Sequence, residues 1–178
     1  MKTNIQIRDL QKEEFEQFGQ LLVEVYSKLE GFPTPGEQPD YYKMLSNIGT
    51  FTEKKDTRVL VAISNNGELL GGVVYFGDMV EYGSGGTATK EKKASGIRLL
   101  GVSPKSRGMG VGKSLTNACI QLAKEKENAQ VILHTTKAMK VAWGLYERLG
   151  FQRSTDLDFM QGDLAVFGFR MKLEKTAR

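Results

Sequence analysis

Cysteine and histidine are nearly missing from this chain, which has one of each, Cys119 and His134. That excludes a disulfide framework and any metal centre built from clustered Cys and His ligands. No apolar stretch approaches the roughly 18 residues that a membrane span needs. The opening "MKTNIQIRDL" lacks the apolar core of a secretory signal. Charge of one sign is also lacking, because 25 basic residues are mixed with 21 acidic ones in runs such as "KEKENAQ" and "FTEKKDTR". This is not the footprint of a nucleic-acid binder. The expectation is a cytoplasmic protein in a reducing compartment that binds neither nucleic acid nor membrane.

What is present suits a folded domain. The 178 residues are 40% hydrophobic and 26% charged, and a chain of this length buries roughly 70% of its unfolded surface. Internal repeats and Pro/Gly/Ser linkers are absent from the sequence, so residues 1–178 read as a single domain.

The periodicities alternate along the chain. "NIQIR" places Ile5 and Ile7 on one face of a short strand, and Phe15, Phe18, Leu22, Val25 and Leu29 then recur at helical spacing up to Gly31. "GFPTPGEQPD" holds three of the four prolines and reads as a loop before a short helix at "YYKMLSNI". "RVLVAIS" and "ELLGGVVYFG" flank an Asn-Gly turn and form a hairpin. Asp78 to Ala94, with the Gly-rich "YGSGGTATKEKK", reads as a mobile loop, and Gly96 to Val102 as the next strand. After a glycine turn, Leu115, Ala118, Cys119 and Leu122 mark a helix. "VILHT" (131–135) is a strand, "KAMKVAWGLYERLG" a helix stopped by Gly150, and "FQRSTDL" with "DLAVFGFRMKL" a last hairpin. The order is β, α, short α, β, β, β, α, β, α, β, β.

The segment Arg107-Gly108-Met109-Gly110-Val111-Gly112-Lys113-Ser114 carries the chemistry. A Walker A loop would require glycine at 107, where arginine stands, so a nucleotide triphosphatase built on Gly112-Lys113-Ser114 is one residue out of register. A dinucleotide fingerprint fails because its third glycine would fall on Lys113. What remains is Arg-x-x-Gly-x-Gly, entered from a strand and leading into a helix. Its bare backbone and helix-start N–H groups suit a pyrophosphate.

"GIRLLGVSPKSRGMGVGKSLTNACIQLAK", "VILHTT" and "AWGLYERLGF" together resemble the central signature of the GNAT acetyltransferase superfamily, with the match covering Gly96 to Phe151. The resemblance implies an α/β (α+β) fold: a mixed, mostly antiparallel twisted sheet of about seven strands, flanked by helices, with a splayed central parallel pair. It implies an N-acetyltransferase that uses acetyl-coenzyme A to acetylate an amine of a small molecule or peptide, and a homodimer is the family expectation. In that family the cofactor lies between the two parallel strands. Leu100 and Val102 would pair with the pantetheine amides, Arg107, Gly108, Met109, Gly110, Val111 and Gly112 would hold the pyrophosphate, Lys113 and Ser114 would add charge and a hydroxyl, and Thr135 and Ala142 would line the same opening.

Tyr146 stands in the family's Leu-Tyr position and would act as general acid on the leaving thiolate, a phenol being a neutral donor near pH 7. Some relatives carry a glutamate base at the start of the strand before the glycine turn, where this chain has Gly96, and many have an asparagine where it has Met139. Asp78, Glu81 and Glu24 are alternative bases, and His134, on the strand flanking the opening, is a base or pocket donor. Tyr26, Phe32, Tyr41 and Phe159 would form an aromatic slot for the acceptor, together with Tyr75 at the hairpin end. Asp78, Glu81, Asp156 and Asp158 would attract a cationic amine. Trp143 reads as core or dimer surface. The alternative is a coenzyme A-binding sensor without turnover, which the residues at 96 and 139 would explain.

Overall fold

The computed structural model describes residues 4–174. Its strands are β1 (Ile5–Asp9), β2 (Thr57–Ser64), β3 (Leu69–Phe76), β4 (Ala94–Val102), β5 (Gln130–Thr135), β6 (Gln152–Arg153), β7 (Phe159–Gln161) and β8 (Leu164–Lys172), and its helices α1 (Phe15–Ser27), α2 (Pro39–Ser46), α3 (Val111–Glu125) and α4 (Lys140–Leu149). Seven strands pair in the order β1-β2-β3-β4-β5-β8-β6, and β7 adds to β8. All neighbours are antiparallel except β4 and β5. This is the mixed sheet with one parallel pair that the sequence led us to expect, with eight strands rather than seven.

The extra strand arises at the C-terminal hairpin. Leu157, fully buried, pins a 3-10 turn (Thr155–Leu157) that interrupts the first arm, and the chain then re-forms as β7. Gln161 opposes Leu164, so Gly162 and Asp163 make a two-residue turn.

Helices cover both faces of the sheet, which is why β2 and β3 are continuous apolar runs instead of alternating ones. Phe18, Leu22, Leu45 and Ile48 from the α1–α2 side pack with Val74 and Phe76. Leu115, Cys119 and Ala123 of α3 pack with Val131, Leu133 and Phe169 on the other face. Gly72 lets α1 settle directly on β3, since a Cβ there would lie 2.4 Å from Phe18 Cζ.

The two parallel strands pair only from Ala94↔Gln130 to Ile97↔Leu133. On its other edge β4 is bulged: Val74 opposes Arg98 and Gly72 opposes Gly101, so Val73 faces two residues, Leu99 and Leu100. Leu99 takes the left-handed conformation at φ 61°. The bulge bends β4 away from β5, and the strands part into a wedge.

The Asp78–Ala94 segment is not the free loop its glycines suggested. Met79, Tyr82 and Ala88 are fully buried and anchor two 3-10 turns (Met79–Glu81 and Ala88–Lys90) to the core. The α1 seat gives a direct check. Gly72→Ala should cost about 1–3 kcal/mol, read from the urea midpoint, because Phe18 is ringed by buried neighbours and must shift; an unchanged midpoint would show that α1 does not rest on β3 as described.

Candidate active site

The wedge opens into a cavity of about 300 Å³. Ile97 to Leu100 of β4 form one wall, His134 and Thr135 of β5 with Thr136, Met139, Ala142 and Tyr146 another, and Tyr26 of α1, Phe32 of the following loop and Tyr41 of α2 close it. Gly83 to Gly85, Phe159 and Gln161 complete the rim. Among these lining residues there is no Asp, Glu or Lys, and Arg98 is the single side chain with a permanent charge.

Tyr146 reaches the wedge from the middle of α4, where burial raises its phenol well above the ordinary range and keeps it protonated. Among the described residues its hydroxyl has no hydrogen-bond partner, while the ring packs edge-on against Phe151 at 5.8 Å. A fixed, protonated, unengaged donor therefore faces the cavity.

His134 is differently placed. Its Nε2 lies 2.8 Å from the Leu157 carbonyl, which can only accept, so Nε2 carries the proton. Nδ1 is then the acceptor, and the Tyr82 hydroxyl donates to it at 2.9 Å. Burial is the main cause that pulls the imidazole below its usual value; the bond to Leu157 opposes it and the Arg98 charge adds to it. The ring is neutral near pH 7, with both nitrogens engaged.

Tyr82 occupies the slot left by Gly96. A Cβ at 96 would sit 2.3 Å from Tyr82 Cδ1, so a ring from the preceding loop fills the space that a side chain on this strand would take. Arg98 donates to the Tyr82 carbonyl at 2.9 Å, and its guanidinium lies 5.8 Å from that ring's centroid. Tyr26 donates to the Leu100 carbonyl at 2.9 Å, which satisfies the bulged strand and takes one acceptor that a ligand was expected to use. The Tyr41 phenol is pushed up by burial to about 12.

Beyond the wedge, β4 leads through a 3-10 turn (Pro104–Ser106) to Arg107 and the glycine turn. Gly108 and Gly110 hold φ of +84° and +79°, and a Cβ at either would meet nothing within 4 Å. The backbone is bare and faces open space. The first turn of α3 has no side-chain cap, so the N–H groups of Val111, Gly112 and Lys113 await a partner. Gly112 also packs tightly, its Cβ position lying 3.3 Å from Leu145 Cδ2 on α4. In the wedge itself, Thr136 Oγ1 is buried without a partner among the described residues, whereas Thr135 donates to Met139 Sδ at 3.5 Å. An anion at the turn and a hydrogen-bonding chain along the wedge would fit these unmet groups.

The sequence model of the Acetyltransferase (GNAT) family matches residues 7–151. The chain belongs to the GNAT family. A mycothiol acetyltransferase from Arthrobacter sp. is 36% identical over 103 residues, which is 58% of this chain and 29% of that protein. This chain therefore spans less than a third of that relative. Among solved structures, a GNAT-family acetyltransferase from Staphylococcus aureus superposes with a TM-score of 0.74 at 19% identity, covering 96% of this chain and 100% of that one. The PaiA N-acetyltransferase from Thermoplasma acidophilum, determined with coenzyme A, gives 0.68 at 17% identity over 93% and 98% of the two chains. These two likenesses concern the fold.

Within this GNAT fold several expected acceptor residues lie elsewhere. Tyr75 points into the α3-side core with its hydroxyl 2.9 Å from Ser95 Oγ, because β3 alternates, and it does not line the cavity. Glu81 pairs with Lys54 at 3.7 Å and Asp78 caps the Val80 N–H. Asp156 bonds Arg170, and Asp158 pairs with Arg153 at 2.7 Å. None of these acids lines the cavity, so the expected anionic lure for a cationic amine is not formed. Trp143 packs edge-on against Phe167 and Phe169. Tyr26, Phe32, Tyr41 and Phe159 do come together at the opening. Arg98, Tyr82 and Thr136 were missed; the lone arginine inside the apolar strand "GIRLLGV" was the signal available for the first.

Because the chain has one histidine, its titration can be read in stability. The native imidazole titrates below the unfolded value of about 6.5. Between those two values the unfolded chain binds more protons, so stability is complete above pH 6.5 and falls as pH drops through the native pKa. Glu14, Asp156 and Asp158 are held below the ordinary carboxylate range and act at lower pH. The urea midpoint should decline on going from pH 7 to 5.5 in the parent and stay flat in His134→Gln. Equal slopes would refute a buried neutral His134.

Proposed function

We propose that this chain is an acetyl-coenzyme A-dependent N-acetyltransferase that acetylates an amine of a small molecule. The observation that carries the reading is the wedge between β4 and β5, with an unengaged Tyr146 hydroxyl in its wall. The uncapped glycine turn at the far end of β4 supports it. The mycothiol acetyltransferase relative favours a small-molecule acceptor over a peptide.

Bound acetyl-coenzyme A supplies a thioester carbonyl that a neutral amine can attack. Arg107 and the backbone from Gly108 to Gly112 would hold its diphosphate, with Lys113 and Ser114 at the helix start. The main chain of Leu100 and Val102 would line the pantetheine arm with Thr135, Thr136 and Ala142. Tyr146 holds a proton at Oη for the departing sulfur. The proton released by the amine has one imidazole among the cavity-lining residues to receive it, His134. Tyr82 Oη can accept it while passing its own proton to His134 Nδ1, so the charge comes to rest on a ring whose other N–H is already bonded to Leu157.

The absence of a carboxylate from the described cavity wall favours a second reading, a coenzyme A-binding sensor without turnover. Thiol release with any amine above background would exclude it. Titration calorimetry should show saturable acetyl-coenzyme A binding, lost in Arg107→Glu; no binding at millimolar concentration would sink the proposal. Tyr146→Phe should lower kcat by about 100-fold while changing acetyl-coenzyme A affinity by less than about threefold. A Phe variant as fast as the parent would remove Tyr146 from the chemistry.

A further inference from the structure

We infer that the acceptor carries a carboxylate beside its amine, and that Arg98 is the residue that binds it. This rests on the acetyltransferase reading and names the class of substrate for the same cavity. A guanidinium has five N–H donors in a planar fork. Among the described residues Arg98 uses one, toward the Tyr82 carbonyl, and no carboxylate lies within ion-pair distance of it. The head is half-buried in the cavity wall rather than swung into solvent. Tyr82 holds it in place through both its carbonyl and its ring face, so the fork is fixed before any ligand arrives.

Three features make the ligand an acceptor carboxylate. The acetyl donor's phosphates have their own uncapped turn at Arg107–Gly112, and that turn does not line the cavity. The remaining walls carry no charge, with neutral His134, so nothing there balances Arg98 or would balance a bound cation. A polyamine or aminoglycoside would bring more positive charge against Arg98, whereas an amino acid would cancel it and leave its amine free. The donors left on Arg98 suffice for a two-point pair with one carboxylate.

The test uses the purified full chain and matched ligands differing only in that group. Calorimetry in the presence of coenzyme A compares N-acetyl amino acids with their amides, for small, acidic and aromatic side chains. Thiol release with acetyl-coenzyme A compares the free amino acids with their amides and decarboxylated amines. The acid should be preferred by about 10- to 100-fold in the parent, the range of a hydrogen-bonded charge pair. The preference should vanish in Arg98→Gln, which keeps a donor for Tyr82, and persist in part in Arg98→Lys. Thermal melts of both variants check that they fold. Equal use of acids and amides, the same preference in Arg98→Gln, or no binding by any acid overturns the inference while leaving amine acetylation intact. Arg98-dependent binding of acids without thiol release would uphold the carboxylate site and defeat the acetyltransferase reading.

Discussion

The bulge at Leu99 is the constraint on which the rest of the site depends. A left-handed leucine costs roughly 1–2 kcal/mol, and burying its side chain, 6% exposed, returns a comparable amount. The distortion is thus held in place by the core beneath α1. Its effect is to end pairing at Ile97↔Leu133 although β4 runs on to Val102. It also breaks the alternation of the strand: Ile97 packs with α3, whereas Leu99, two residues on, packs with the α1 side. Arg98, immediately before it, is left against Tyr82 at the mouth of the wedge. A regular strand would close the opening and turn these side chains to other faces.

The second dependency runs through Gly96. Removing a side chain there admits the Tyr82 ring against β4, and the ring brings its loop into the core with Met79 and Ala88. Tyr82 in turn donates its hydroxyl to His134 Nδ1, the acceptor left once Leu157 has taken the Nε2 proton, and sets the pose of Arg98 through its carbonyl. One loop tyrosine therefore orients both the titratable group and the permanent charge of the cavity. A carboxylate on β4 and this arrangement exclude each other by sterics, since a Cβ at position 96 would collide with the ring.

Much of this was legible in the sequence because it rests on local pattern. The glycine turn and the α3 stripe are read from spacing and the Leu145-Tyr146 pair from the family resemblance, and the structure puts them on the expected elements. The parallel pair followed from the family resemblance. What escaped depended on register or on long-range packing. Tyr75 looked like a rim residue because it ends a hairpin strand, yet alternation sends it to the α3 face. The glycines of 83–86 suggested freedom, whereas Tyr82, next to them, is fully buried. The acids at 78, 81, 156 and 158 are close to the cavity in sequence terms, and each is already engaged by a cap or a cation. No periodicity records which partner a carboxylate has found.

The charge of the cavity also bears on how a weak base can serve. An ordinary alkylamine, with a pKa of about 10.4, is neutral in only about one molecule in a few thousand at pH 7. Transfer into an aromatic wedge disfavours the ammonium by desolvation, which lowers the amine's pKa, and an acceptor carboxylate paired with the guanidinium no longer holds the ammonium in its charged form. Each unit of that lowering raises the neutral fraction about tenfold. A carboxylate in the wall would act in the opposite direction, by stabilising the ammonium that cannot attack. Under the proposed reading, a wall with no described carboxylate, whose one cation is matched by the acceptor's own carboxylate, thus favours the reactive form of the amine before any base acts. The remaining proton transfer is small enough for an imidazole that burial has made a poor base.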